Sequence, residues 1–396
     1  MQLGMQLEKL PRERMPWEKL PDVCGGKLCV YAESFRELAR SFHKEHPAPG
    51  LDRRTFFEEE RLRENCEVIA GHLMEVADIM EQTAGEVTSA EPMEERTWRK
   101  LARGLKEKGL YLEGACRLPR QSGSQISLTL WTNWPEGVSA REAEEVLERV
   151  LGIRYCLSLS APEKVEREER TYLFVEEPCF LAFTGFARVM KGSEQISGDN
   201  YSILQSERGT LTLLLSDGTG SGEEASRGSG WVLDLMEKLL ETGYSPETAL
   251  RMVNATAVTK GEELGHPTLD ICQLDLERGD CQFCKAGGAI SFRKRGSEME
   301  EIAGGQLPLG IFQDLEPQRQ YLRLQEGDSI ILMTDGVLEA FRDRGYEEAV
   351  RDCLANMEDE TPREMAEKLM QLAIFASEGK VRDDMTILAA TLWKNP

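Results

Sequence analysis

Residues 211–222 read LTLLLSDGTGSG. Leu211, Leu213, Leu214 and Leu215 put four apolar residues in five positions, the pattern of a buried strand. The run ends in Ser216, Asp217 and Gly218, with further glycines at 220 and 222. A carboxylate at the exit of a buried strand, followed by bare backbone, has two readings. It starts a tight turn, or it is a charge held on a rigid element where something must approach the main chain.

The frame occurs twice, as LLLSDG at 213–218 and ILMTDG at 331–336. Two further acids adjoin apolar runs: Asp199 in ISGDNYS and the pair Asp383–Asp384 in RDDMTILAA. Asp199, Asp217, Asp335 and Asp383 are separated by 18, 118 and 48 residues, so they form no local surface cluster. Brought together, they would repel one another, which raises carboxylate pKa values or draws in a counter-charge. A divalent cation is the usual remedy, and an all-oxygen donor set favours magnesium or manganese over zinc. With four histidines in the chain, an imidazole-rich site is not expected, and His266 before Pro267 reads as a loop or capping residue.

The elements around these motifs set the fold class. From about residue 172 strands dominate: FLAFTGFARVMKG, then DNYSILQSERGTLTLLLSDG with a turn at Arg208–Gly209. A helix is expected from near Ser226 and a second one capped by Ser245 with Pro246 in its first turn. Strands follow in TLDICQLDLERGDCQFCKAGGAISFRKRG, with a turn at Arg278–Gly279–Asp280, and in YLRLQEGDSIILMTDG, read as a hairpin. The helix TPREMAEKLMQLAIF and the strand MTILAATLW close the chain. This order predicts two packed sheets with helices outside.

Upstream, residues 1–92 read as a helical segment. Val30, Phe35, Leu38 and Phe42 recur at helical spacing, and Leu62, Cys66, Ile69, His72 or Leu73, Val76 and Met80 form a seam suited to a partner helix or a second copy of the chain. Residues 93–171 read as a small α/β regulatory domain, with a helix ended by Gly109, a helix capped by Ser139, and Trp131 and Trp134 as packing residues. Residues 172–396 form the third part.

Composition removes several classes. The chain has 396 residues and a net charge of −22, room for two or three domains and no means of neutralising a nucleic-acid backbone. No apolar run approaches the roughly 20 residues of a membrane span, and MQLGMQLEKLPRERMPWEKL has no signal-peptide core. The chain therefore reads as cytoplasmic, and membrane-associated where a membrane region precedes it in a longer form. Ten cysteines contain one C-x-x-C pair, Cys281 and Cys284, with no second pair to complete a zinc site, while Cys24 and Cys29 are a looser pair. Reduced structural thiols are expected. GTGSGEE lacks the lysine of a P-loop, and no EF-hand loop is present.

ISGDNYSILQSERGTLTLLLSDGTGSGEE, TLDICQLDL, CKAGGAISF, LPLGI, ILMTDGVLEA and RDDMTIL, in this order, resemble the metal-dependent serine/threonine protein phosphatases of the PPM type. Within them the likeness is to the bacterial branch typified by stage II sporulation protein E, and its cytoplasmic regulatory part is echoed more weakly upstream. The resemblance implies a four-layer α/β/β/α sandwich and two manganese or magnesium ions. Asp199, Asp217, Gly218 through its carbonyl, Asp335 and Asp383 would hold the ions. Asp217, Asp335 and Asp383 are the implied catalytic residues, and Asp384 would support them. It implies hydrolysis of phosphoserine or phosphothreonine without a covalent enzyme intermediate. The implied substrate is a phosphorylated anti-anti-sigma factor, which connects the chain to sigma-factor activation in sporulation. A division-ring protein and a homodimer or higher oligomer are further implied partners, and the two helices after Gly218 are implied switch helices. Of the phosphate-gripping arginine of eukaryotic relatives, only Arg188 and Lys191 in FARVMKG are candidates. The competing reading is an oligomerising sporulation or division scaffold with a weak or silent phosphatase domain.

Overall fold

The computed structural model describes residues 20–42 and 53–395, apart from 120–122, 159, 193, 207–208, 262–263, 306, 313–314 and 359. The chain divides into two compact units, Met1–Glu45 with Ile69–Phe174, and His46–Val68 with Val175–Pro396.

In the N-terminal part, α1 (Leu20–Ser41) and α2 (Arg53–Thr88) are the two long helices. Their buried positions are small: Ala32 and Ala39 in α1, and Cys66, Ala77 and Ala84 in α2. Val30, Leu38, Leu62 and Ile69 are exposed. Of the expected seam Cys66 is buried, while Leu62 and Ile69 are exposed, as a face awaiting a partner helix or a second copy would be. Arg36 adds an ion pair to Asp78 at 2.8 Å and another to Glu81.

The rest of this unit carries β1 (Glu91–Pro92), α3 (Glu95–Glu107), β2 (Tyr111–Pro119), β3 (Ser124–Trp131), β4 (Val138–Ser139), α4 (Glu142–Leu151), β5 (Tyr155–Leu157), β6 (Lys164–Val165) and β7 (Arg170–Glu176). Its main sheet has the order β1-β2-β3-β7-β5, and α3 and α4 supply Leu101, Leu105, Val146 and Leu147 to its core. Ser139 does not cap α4. It pairs with Lys164 in the short β4–β6 ladder, and the helix starts three residues later. Trp131 stacks on Tyr111 with ring centroids 4.5 Å apart, a packing role.

The second unit contains β8 (Phe180–Val189), β9 (Asn200–Ser206), β10 (Thr210–Ser216), α5 (Gly222–Glu241), α6 (Pro246–Lys260), β11 (Leu269–Asp275), β12 (Asp280–Ala286), β13 (Ser291–Arg295), β14 (Glu298–Ile302), β15 (Gln318–Arg323), β16 (Ser329–Met333), α7 (Asp335–Ala340), α8 (Glu347–Ala355), α9 (Pro362–Ala376) and β17 (Met385–Lys394). Two antiparallel sheets, β15-β12-β11-β10-β9 and β14-β13-β16-β17-β8, face each other. Leu211, Leu213, Leu215, Phe283, Ile330, Leu332 and Leu388 fill the space between them. Leu214 points the other way, onto Val232, Met236 and Leu250 of α5 and α6, while Val337, Met365 and Leu369 of α7 and α9 cover Ile331 and Ile387 of the second sheet. This is the four-layer α/β/β/α sandwich, and it explains why β10 lacks alternation. Leu214→Ala should destabilise the unit by about 2–5 kcal/mol through lost burial and a cavity, read as a fall in the denaturation midpoint.

Two expectations change here. The segment 321–336 is not a hairpin, since β15 pairs with β12 and β16 with β13 and β17, so the chain crosses between sheets. The helix expected near Ser226 starts at Gly222, after Ser221. Arg208 of the expected turn lies outside the described residues, while Gly209 has φ of +71°. The expected cap of α6 forms, with Ser245 Oγ accepting the Thr248 N–H at 3.2 Å.

Candidate metal centre

Asp217 leaves β10 clamped on both backbone sides. Its N–H donates to Thr268 Oγ1 at 3.0 Å, its carbonyl accepts the Thr268 N–H at 2.8 Å, and Ser216 Oγ donates to the Thr268 carbonyl at 2.6 Å. The hydroxyl before the aspartate thus ties one strand exit to the next strand. Gly218 donates its N–H to the Gly198 carbonyl at 3.3 Å, and a Cβ on it would stand 2.2 Å from the Ala225 carbonyl oxygen. A glycine is required there because α5 packs directly on the backbone.

Asp199 is completely buried. Its Oδ2 accepts from Thr386 Oγ1 at 2.7 Å and from Thr334 Oγ1 at 3.0 Å, joining the ends of β16 and β17. Its Oδ1 is buried and has no hydrogen-bond partner among the described residues. Asp384 is the matching buttress: Oδ2 accepts the Gly198 N–H at 2.7 Å and Oδ1 the Lys191 N–H at 2.9 Å. Asp335 opens α7 directly after Thr334. Asp383 is half-buried and sits 3.6 Å from Lys191 Nζ.

Asp217 lies within electrostatic reach of the other three acids. Burial, then the charges of Asp199 and Asp335, a hydrogen bond with Asp335 and the charge of Asp383 push the Asp217 carboxyl up to about 9. Burial raises Asp199 to about 6 against the pull of the two threonine hydroxyls. Asp217 and Asp335 also line one small cavity with Thr268 and Asp270. Among the described residues, no three His, Cys, Asp or Glu side chains yet stand at the spacing of a formed metal site. The acids converge within electrostatic reach, short of a closed ligand set.

The donor chemistry fits a hard cation. Asp199 Oδ1 is an orphaned buried oxygen among the described residues, burial and the neighbouring acids disfavour the charge on Asp217 that a cation would favour, and the donors are oxygen alone. His266 lies in a loop, its Nδ1 3.2 Å from the Leu309 carbonyl oxygen. Cys281 and Cys284 are buried and free.

Sequence reasoning missed the hydroxyls of Thr268, Thr334 and Thr386, although two of them stand in the frames TDG and DMT. It also missed the buried pair Lys285–Asp270 at 2.6 Å, in which Lys285 Nζ also donates to Ser291 Oγ and the Ala289 carbonyl. A charge at an inward position of an apolar strand was its only signal.

A β-sandwich between helix layers, with acids at strand ends, is the fold of the PP2C, or PPM, class of phosphatases, a metal-dependent class. Within that class, residues 207–393 match the family model described as Stage II sporulation protein E (SpoIIE). The chain is 26% identical over 340 residues to stage II sporulation protein E of Priestia megaterium, covering 85% of this chain and 58% of that protein. It is 30% identical over 213 residues to the Bacillus subtilis protein of that name, covering 54% and 26%. It therefore spans less than two thirds of either relative. The solved structure of the PP2C phosphatase domain and a fragment of the regulatory domain of Bacillus subtilis SpoIIE superposes with a TM-score of 0.63, covering 87% of this chain and 96% of that one at 24% identity. The likeness read from the motifs is thus to a PPM phosphatase close to SpoIIE.

Proposed function

We propose that this chain is a metal-dependent protein serine/threonine phosphatase, organised as a helical segment (1–92), a small regulatory domain (93–171) and a phosphatase domain (172–396). The observation that carries the reading is the convergence of Asp199, Asp217, Asp335 and Asp383 from four distant segments onto one edge of the sandwich. Asp199, Asp217, Asp335 and Asp383, with the Gly218 carbonyl, would hold two manganese or magnesium ions. Ions bound there would lower the pKa of a water and neutralise phosphoryl oxygens. The protein's own part is positional. Thr334 and Thr386 orient Asp199, Thr268 fixes Asp217, and Asp384 pins the segment between Lys191 and Asp199.

The proposed substrate is a phosphorylated anti-anti-sigma factor in sporulation control, with a division-ring protein and a second copy of the chain as further partners. The support is the likeness to SpoIIE and, for self-association, the exposed Val30, Leu38, Leu62 and Ile69. The test is release of phosphate from a phosphoserine-bearing anti-anti-sigma factor across a manganese series. Activity that needs manganese and disappears in Asp335→Asn supports the reading, whereas activity unchanged by chelator contradicts it.

A second reading, the oligomerising scaffold with a weak or silent phosphatase domain, draws on the open spacing of the acids. It predicts self-association in sedimentation without saturable binding of manganese.

A further inference from the structure

Between β12 and β13 the chain passes from the first sheet of the sandwich to the second, in the loop 287–290. Gly287, Gly288 and Ala289 of that loop form one wall of the small cavity that Asp217, Thr268 and Asp335 also line. Asp217 leaves the first sheet and Asp335 the second, so the distance between them depends on how the sheets are tied at this edge.

Lys285 makes such a tie. It is buried, and its Nζ donates to Asp270 Oδ2 at 2.6 Å, to the Ala289 carbonyl at 2.6 Å and to Ser291 Oγ at 2.8 Å. An ammonium has three N–H donors, and all of them are used. The acceptors belong to separate parts of the fold. Asp270 lies in β11, opposite Leu215 of β10 on one side and Lys285 on the other, and it follows closely on Thr268, which clamps Asp217. Ser291 opens β13, which pairs with β16, the strand that runs into Asp335. Ala289 belongs to the loop itself. The loop also packs on the pair: a Cβ on Gly288 would stand 1.8 Å from Asp270 Oδ1, so only glycine fits there. Burying two charges costs desolvation that their attraction need not repay, and an apolar pair of similar volume often packs as stably. Stability is therefore a weak reason for this pair, whereas three directed bonds to three parts of the fold fix a geometry.

We propose that Lys285 and Asp270 are positioning residues that set the separation of Asp217 and Asp335 across the sandwich. This role presupposes that Asp217 and Asp335 hold cations, as proposed above. The pair itself contacts neither cation nor substrate. It acts through Thr268 on the first sheet, and through the loop 287–290 and β13 on the second. The bonds from Thr334 and Thr386 to Asp199 also join the two sheets. Loss of the pair should therefore leave the fold standing while the spacing of Asp217 and Asp335 relaxes.

The test uses the full metal-free chain, as Lys285→Met, Asp270→Asn and the double variant Lys285→Met/Asp270→Leu. Circular dichroism confirms folding, and chemical denaturation gives the midpoint. Calorimetry gives manganese affinity, and amide hydrogen exchange is followed without metal. Lys285→Met strands a buried carboxylate and should lower the midpoint, and the double variant should recover part of that loss. Manganese affinity should fall by about 10-fold or more in both, as when the outer support of a metal site is removed, with no recovery in the double variant. Asp270→Asn keeps an oxygen for Lys285 and should retain most of the affinity. Without metal, exchange at Thr268 and over 287–291 should quicken in Lys285→Met and in the double variant. Should Lys285→Met fail to fold, the double variant set against Asp270→Asn decides in the same way. Affinity that recovers in step with the midpoint, or that the double variant leaves at the wild-type level, overturns the proposal. A wild-type chain that binds no manganese overturns the reading of the acids instead, and unchanged exchange at Thr268 and 287–291 overturns the tie itself.

Discussion

Asp217→Asn is expected to lower phosphatase kcat by about three orders of magnitude, the worth of several kcal/mol of lost transition-state charge stabilisation. The same substitution should stabilise the metal-free chain at alkaline pH. The folded carboxyl is raised to about 9, far above its unfolded value, so the native state binds the extra proton. Stability from that proton is complete below pH 4, where both states are protonated, and it is lost as pH rises toward 9. Asparagine carries no such charge. The variant and the wild type should therefore differ little in melting temperature at pH 5 and most near pH 9, with the variant higher. Manganese should raise the melting temperature of the wild type and leave that of the variant nearly unchanged. Melting curves at three pH values, with and without manganese, check both halves. A variant that loses stability at pH 9 would contradict the electrostatic account.

Asp384→Ala should damage the site without removing a proposed ligand. Its carboxylate accepts two backbone N–H groups, those of Lys191 and Gly198, and it is nearly fully buried. Alanine leaves both donors unpaired, a loss of about 3–5 kcal/mol, and frees the segment that carries Asp199. Manganese affinity should fall by about 10- to 100-fold, as expected when an outer support of a metal site is removed. Asp384→Asn keeps one acceptor and should fall between the two. Chemical denaturation and manganese titration measure these effects separately. Equal metal affinity in Asp384→Ala and the wild type would show that the Asp199 segment needs no such anchor.

Much of this was legible in the sequence because β10 and β16 are buried on both faces. A run such as LTLLLS admits few placements, and an aspartate at its exit must lie at the sheet edge. The order of strands and helices predicted two packed sheets with helices outside, and the family resemblance implied the four layers. Local patterns failed where tertiary pairing decided. YLRLQEGDSIIL looks like a hairpin, yet β15 and β16 join different sheets, and period-2 alternation carries no information about which sheet a strand enters. Ser139 has the chemistry of a helix cap, but a two-residue ladder with Lys164 claims it. In α1 and α2 the buried positions are four alanines and Cys66 of the expected seam, and burial within one chain carries no information about what covers the exposed Leu62 and Ile69. The threonines around Asp199 stayed hidden because Thr334 and Thr386 are 135 and 187 residues from their acceptor. Nothing local in either one distinguishes a bonded hydroxyl from a turn residue.

The most direct measurement is calorimetric titration of manganese into the full metal-free chain at pH 7, in two buffers of different ionisation enthalpy. The account predicts saturation near two ions per chain with release of protons, since Asp217 must give up the proton that burial and its neighbours hold there. It also predicts loss of that binding in Asp217→Asn. Binding that neither saturates nor releases protons, or that survives the substitution unchanged, would contradict the claim that these acids share a pair of cations.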